Sequence, residues 1–132
     1  EIAAFGSRLA AEGILELLRL RFLDDRPALM QTSYLACALA GPIERRDLED
    51  ASLYRLLAER RGIEVAEIEE TLEPASIGEE DARALEIAPG TAVFRSYRIA
   101  RDAGGRIVEV SDNLIRGDIY RFTVRRSARD GF

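Results

Sequence analysis

The stretch TAVFRSYRIAR DAGG RIVEVSDNLIR, Thr91 to Arg116, decides the fold. Two runs rich in Val, Ile, Phe and Tyr flank Asp102-Ala103-Gly104-Gly105, and glycine supplies the positive φ that a tight reversal needs. The pattern predicts a β-hairpin. Upstream, Leu15, Leu17, Arg19, Arg21 and Leu23 alternate with Glu16, Leu18, Leu20 and Phe22, the two-residue period of a strand. Asp24-Asp25-Arg26-Pro27 reads as a turn and Ala28 to Leu35 as the returning strand, a second hairpin. The two hairpins form a faint internal repeat, Leu17 to Leu35 against Val93 to Leu114, in which Arg19 and Arg21 are echoed by Arg95 and Arg98.

Around them the signals are shorter. Ile2, Phe5 and Leu9 share a helical face, so Ile2 to Ala11 is expected to be a short helix stopped by Gly13. Gly41-Pro42 breaks the chain, and Asp50 to Arg61 predicts the clearest helix, with Leu53, Leu56 and Leu57 on one face and Gly62 as its stop. Ile63 to Ile77 reads as a strand with a solvated acidic face. Gly78 to Glu86 reads as a short helix that turns Ala82 and Leu85 inward, and Pro89-Gly90 as a turn. Asp118 to Arg126 is expected to continue extended. No linker divides the chain, so residues 1–132 are expected to form one α+β domain, a mainly antiparallel sheet with flanking short helices.

Composition narrows the chemistry. The chain has 132 residues, 47% hydrophobic and 33% charged, with 19 basic against 24 acidic residues for a net charge of −5. Every basic residue is Arg; Lys, His and Trp are absent, and Cys37 is the one cysteine. Without His there is no imidazole base or Ser-His-Asp system, and without Lys no Schiff-base chemistry. One Cys and no His cannot make a structural zinc site, and one thiol makes no disulfide within the chain. No cofactor, metal or catalytic residue is expected, and Cys37 reads as an inert thiol. The acidic balance disfavours phosphate-backbone contacts, and no apolar run is long enough to span a membrane. The expected location is cytoplasmic.

Three ordered signatures carry a resemblance. Asp47-Leu48 precedes Ser52-Leu53-Tyr54, which opens a helix ending in Arg61-Gly62-Ile63. Ala82, Leu85 and Ile87 precede Pro89-Gly90-Thr91. Arg98, Asp102-Ala103-Gly104-Gly105-Arg106, Val108-Glu109 and Ser111 precede Arg116-Gly117-Asp118, Tyr120 and Phe122. In this order they resemble the UTRA domain, the effector-binding domain of HutC-type GntR transcriptional regulators, over Leu15 to Arg126. The resemblance implies a chorismate-lyase-like fold and a small effector. It also implies a homodimer, and operator DNA held by a winged-helix domain outside this chain. The start departs from the pattern. Relatives place a strand, a helix and a glycine turn between the first helix and the first hairpin, whereas here Gly13 runs directly into Ile14, so a segment is either deleted or left out of this sequence.

The candidate site follows from spacing and resemblance together. Arg19 and Arg21 lie two apart, so both guanidiniums leave one strand face, and two Arg forks suit a phosphate, phosphonate or carboxylate. A solvated face is the plain alternative; the resemblance makes them the effector's anion site. Ser52 is either a cap or part of an anion cradle at a helix start. Tyr54 is either core or ligand-facing. Glu109 and Ser111 share a face, where the carboxylate either accepts from a ligand or pairs an Arg. Gln31 stands where many relatives have Glu, and Ile115 where Tyr is frequent, which leaves a less acidic pocket. Arg116 and Asp118 read as a structural pair. A chorismate-lyase-like enzyme and a ligand-free dimerisation or scaffold domain are the rival readings, and the dimer contact is expected at an edge formed by Tyr120 to Val124.

Overall fold

The computed structural model describes residues 2–49 and 52–131. Its elements run β1 (Ile2–Ala11), β2 (Ile14–Leu23), β3 (Arg26–Ala36), α1 (Cys37–Ala40), α2 (Leu53–Arg61), β4 (Glu67–Ser76), α3 (Glu79–Leu85), β5 (Ala92–Arg101) and β6 (Ile107–Arg116). The six strands form one sheet in the order β1-β2-β3-β6-β5-β4, every neighbouring pair antiparallel. The two hairpins of the repeat, β2–β3 and β5–β6, meet at the centre through β3 and β6.

Three expectations are corrected. Residues 2–11 form a strand rather than a helix: they pair along β2 from Ile2 opposite Arg21 to Ala11 opposite Ile14, through a turn at Gly13 with φ of 75°. The open backbone edge of β2 needs such a partner, and that tertiary demand overrides a short helical spacing. The β2–β3 turn is Asp24-Asp25 alone, both residues at positive φ (48° and 61°), as a twisted two-residue reversal requires; Arg26 and Pro27 already belong to β3. Residues 118–126 form no strand: the chain turns at Gly117-Asp118-Ile119 and then runs outside the ladder, with Phe122 edge-on to Phe94 at 5.2 Å. The sheet edges are β1 and β4.

The acidic strand starts at Glu67 rather than Ile63. Helix α2 starts at Leu53 behind the cap Ser52 and stops at Gly62, which adopts the left-handed conformation at φ 66°; the expected helical positions Asp50 and Ala51 lie outside the described residues.

Two apolar clusters hold opposite faces of the sheet. Leu53, Leu56 and Leu57 of α2 pack on Leu15, Leu17, Leu35 and Val108. Ala82 and Leu85 of α3 pack against Ile77 and Val93, with Leu20, Met30 and Leu114 beside them. Each well-buried leucine contributes about 1.5–3 kcal/mol. Among the described residues no helix is long and apolar enough to cross a membrane.

Arg116 ties the second cluster to the sheet. Its NH1 donates to the carbonyl oxygens of Pro27 at 3.0 Å and Leu85 at 3.2 Å, while Nε and NH2 donate to Asp118 at 3.1 and 2.7 Å. This is the structural pair expected from the sequence. Arg116→Ala strands two buried carbonyls, so a urea titration should show a loss of about 2–3 kcal/mol. Asp118, whose carboxylate is largely exposed, should lose under about 1 kcal/mol as Asn.

Candidate functional site

Register on the face under α2 sets the site. One row across the strands reads Leu17, Ser33, Ser111, Arg98 and Glu70; the next reads Arg19, Gln31, Asn113, Ser96 and Leu72. Ser33 and Ser96 are completely buried and Ser111 nearly so. Small polar side chains at these central positions leave space between the strands' larger neighbours and the start of α2. The result is a cavity of about 320 Å³, the lower end of the range for small-molecule sites.

All seven candidate residues, Arg19, Arg21, Gln31, Ser52, Tyr54, Glu109 and Ser111, line this cavity. Arg19 is only 7% exposed. Its NH2 donates to Ser33 Oγ at 3.3 Å, and its buried Nε makes no hydrogen bond. Burial pushes its pKa below the ordinary guanidinium value, a shift that the charge of Glu109 opposes and that of Arg21 reinforces; a guanidinium stays charged even so. Arg21 NH1 donates to Gln31 Oε1 at 3.3 Å.

Tyr54, in the first turn of α2, donates its hydroxyl to Glu109 Oε1 at 2.5 Å. Burial, then the bond to Glu109, raises the Tyr54 phenol well above its ordinary pKa. Ser52 Oγ accepts from Arg55 N at 3.2 Å, so it is the cap of α2; its hydroxyl proton is free of that bond and can still be donated. Both readings of Ser52 are therefore compatible. For Glu109 the partner is a tyrosine rather than a hydrogen-bonded Arg.

Sequence reasoning missed Ser33, Leu53, Ile68 and Arg98 in the lining. Arg98 is the consequential one. It enters from β5, opposite Ser111, with its Cζ 6.0 Å from the centre of the Tyr54 ring. A signal existed in the repeat, which paired Arg95 and Arg98 with Arg19 and Arg21. Spaced three apart on a strand, however, the second pair splits between faces. Arg95 lies on the other side, clamped to Asp112 by bonds of 3.0 and 2.6 Å. The acidic strand is exposed as expected, with Glu70 also accepting from Ser96 Oγ at 2.6 Å. Ile115 is buried one row beyond the cavity, beside Leu29 and Phe94. Among the described residues no cluster of His, Cys, Asp and Glu is placed to hold a metal ion, and Cys37 is a half-buried free thiol.

An antiparallel sheet thus holds an Arg-lined cavity beneath the start of α2. Solved structures share the architecture. The ligand-binding domain ascribed to a GntR-family transcriptional regulator of Bordetella bronchiseptica matches with TM-score 0.80 and 21% identity, covering 95% of this chain and 90% of that one. PhnF from Mycobacterium smegmatis matches with TM-score 0.79 and 24% identity, covering 97% and 62%. The transcriptional repressor NagR of Bacillus subtilis is 26% identical over 122 residues, 92% of this chain and 50% of that protein. The UTRA domain family model matches residues 1–121, and the chain belongs to that family. It spans about half the length of NagR.

Tyr54→Phe removes the donor to buried Glu109 and should cost about 1–3 kcal/mol at neutral pH. The sign of the alkaline effect follows from the raised phenol pKa. Stability from the protonated Tyr54 is fully present below about pH 10, the unfolded value, and is lost above it. Urea midpoints measured from about pH 9 to 11 should therefore fall less steeply in Tyr54→Phe than in the parent; equal slopes contradict the assignment.

Proposed function

We propose that this chain is the effector-sensing domain of a transcriptional regulator and that the cavity under α2 binds a small anionic effector. The observation that carries the reading is the buried, under-bonded guanidinium of Arg19, beside Arg21 at the same cavity. An unbonded buried donor is costly, and an anion accepting from it removes that cost. Phosphate, phosphonate and carboxylate all satisfy the chemistry.

Family membership supports the rest of the mechanism. The effector binds one arrangement of a homodimer more tightly and so shifts its population, which alters how attached winged-helix domains engage operator DNA. A cytoplasmic location fits that role. The reading is non-enzymatic. Glu109, the one carboxylate among the described residues of the lining, is engaged by Tyr54, and the chain has no His or Lys side chain to act as a base.

Thermal-shift measurement against phosphosugars, phosphonates and small carboxylates tests the site. At least one anion should raise the melting temperature, and Arg21→Ala, at an exposed position, should weaken the hit about tenfold or more, in line with a lost charge-assisted bond. Arg19→Ala with Arg21→Ala should abolish it. A hit that survives both changes removes the assignment, and turnover of chorismate to 4-hydroxybenzoate would overturn the non-enzymatic reading.

A further inference from the structure

We infer that Arg98 is a second anion-binding arm of the cavity, and that the effector carries two acidic groups, one held by Arg19 and Arg21 and the other by Arg98. The inference rests on reading the cavity as the effector site and refines what that effector must be.

Placement is the first argument. Arg19 stands on β2 and Arg98 on β5, with β3 and β6 between them carrying Ser33 and Ser111. Strands are about 4.8 Å apart, so three spacings separate the two arginine backbones by about 14 Å. The two guanidiniums approach a serine floor from opposite walls. A ligand that meets both spans the floor.

How arginines are held elsewhere on the sheet is the second argument. Arg95 and Arg116 are each clamped by two hydrogen bonds to an aspartate, at 2.6–3.0 Å and 2.7–3.1 Å. Arg98 is not. Its nearest carboxylate, Glu70, lies 3.5 Å from Nε, an ion pair without hydrogen-bond geometry, and that same Glu70 oxygen already accepts from Ser96. The buried Nε of Arg98 is unbonded, as is the buried Nε of Arg19. Neither guanidinium at the cavity is clamped by a carboxylate as Arg95 and Arg116 are, which leaves both able to meet a ligand's acceptors.

Charge is the third. Among the described residues, Arg19, Arg21 and Arg98 line the cavity with one carboxylate, Glu109, whose Oε1 already accepts from Tyr54. Glu70 stands behind Arg98, outside the lining. Even with Glu70 beside Arg98, the described charges at the cavity remain net positive, which suits an anionic ligand.

The test uses two probes that differ in one group. 3-Phosphoglycerate and glycerol 3-phosphate share a phosphate and a central hydroxyl; the first ends in a carboxylate, the second in a hydroxymethyl. Isothermal titration on the parent chain should favour 3-phosphoglycerate by about tenfold, as expected for one charge-assisted contact. In Arg98→Gln the ratio should collapse towards one, while glycerol 3-phosphate affinity changes by less than about threefold, and Arg98→Lys should restore part of the preference. Should Arg98→Gln fail to fold, the parent ratio with Arg98→Lys decides.

A parent ratio near one, or a ratio unchanged in Arg98→Gln, overturns the inference and leaves the anion site standing. Failure of both probes and of inorganic phosphate to bind the parent overturns the site itself, and this inference with it.

Discussion

The register between β3 and β6 is the constraint on which the site depends. It sets Ser33 opposite Ser111 and Gln31 opposite Asn113 at the centre of the sheet. Because side chains alternate with a period of two, a slip of one residue would turn these polar groups to the α3 face and bring Val110 and Asp112 beneath α2. The hairpins on either side lock the register in place: β2 adds Arg19 and Arg21 to one flank, β5 adds Arg98 to the other. A cavity with cations on two walls and hydroxyls on its floor is thus a product of strand pairing rather than of any one loop.

Stability and function divide the same face between them. Toward one end of the strands, leucines of β2, β3 and α2 form a dry cluster that fixes the helix. Farther along, serines and amides replace leucines, and the sheet gives up packing for polar capacity. The bond from Tyr54 to Glu109 sits at the junction, joining the first turn of α2 to β6. A ligand that competes for Glu109 acts on the position of that helix start, a physical route by which occupancy of the cavity can bias the domain. The arginine at the far end, Arg116, has its donors committed to Pro27, Leu85 and Asp118, and so belongs to the scaffold.

Much of this was legible in the sequence because it is local. Gly104-Gly105 between alternating runs announces β5–β6, and Ser52 with Gly62 brackets α2. Two-residue spacing places Arg19 with Arg21 and Glu109 with Ser111. What was not legible is non-local. Residues 2–11 carry a helical spacing yet pair as a strand because β2 has an edge to satisfy. Tyr120 to Val124 looks like a strand but finds no ladder. Arg98 was visible as an echo in the repeat, but its face follows from the β5–β6 register, which sets it opposite Ser111. The bond from Ser96 to Glu70 likewise depends on the β4–β5 pairing.

The central claim is that the unbonded donors of this cavity are filled by an anion. Nitrogen-15 spectra of the arginine Nε–H groups, recorded while inorganic phosphate is titrated at constant ionic strength, address it directly. The account predicts saturable shifts of the Arg19 and Arg21 resonances, with Arg95 and Arg116, already bonded to aspartates, left in place. Small unsaturable drifts spread over all arginines, or shifts confined to exposed ones such as Arg55, would contradict it.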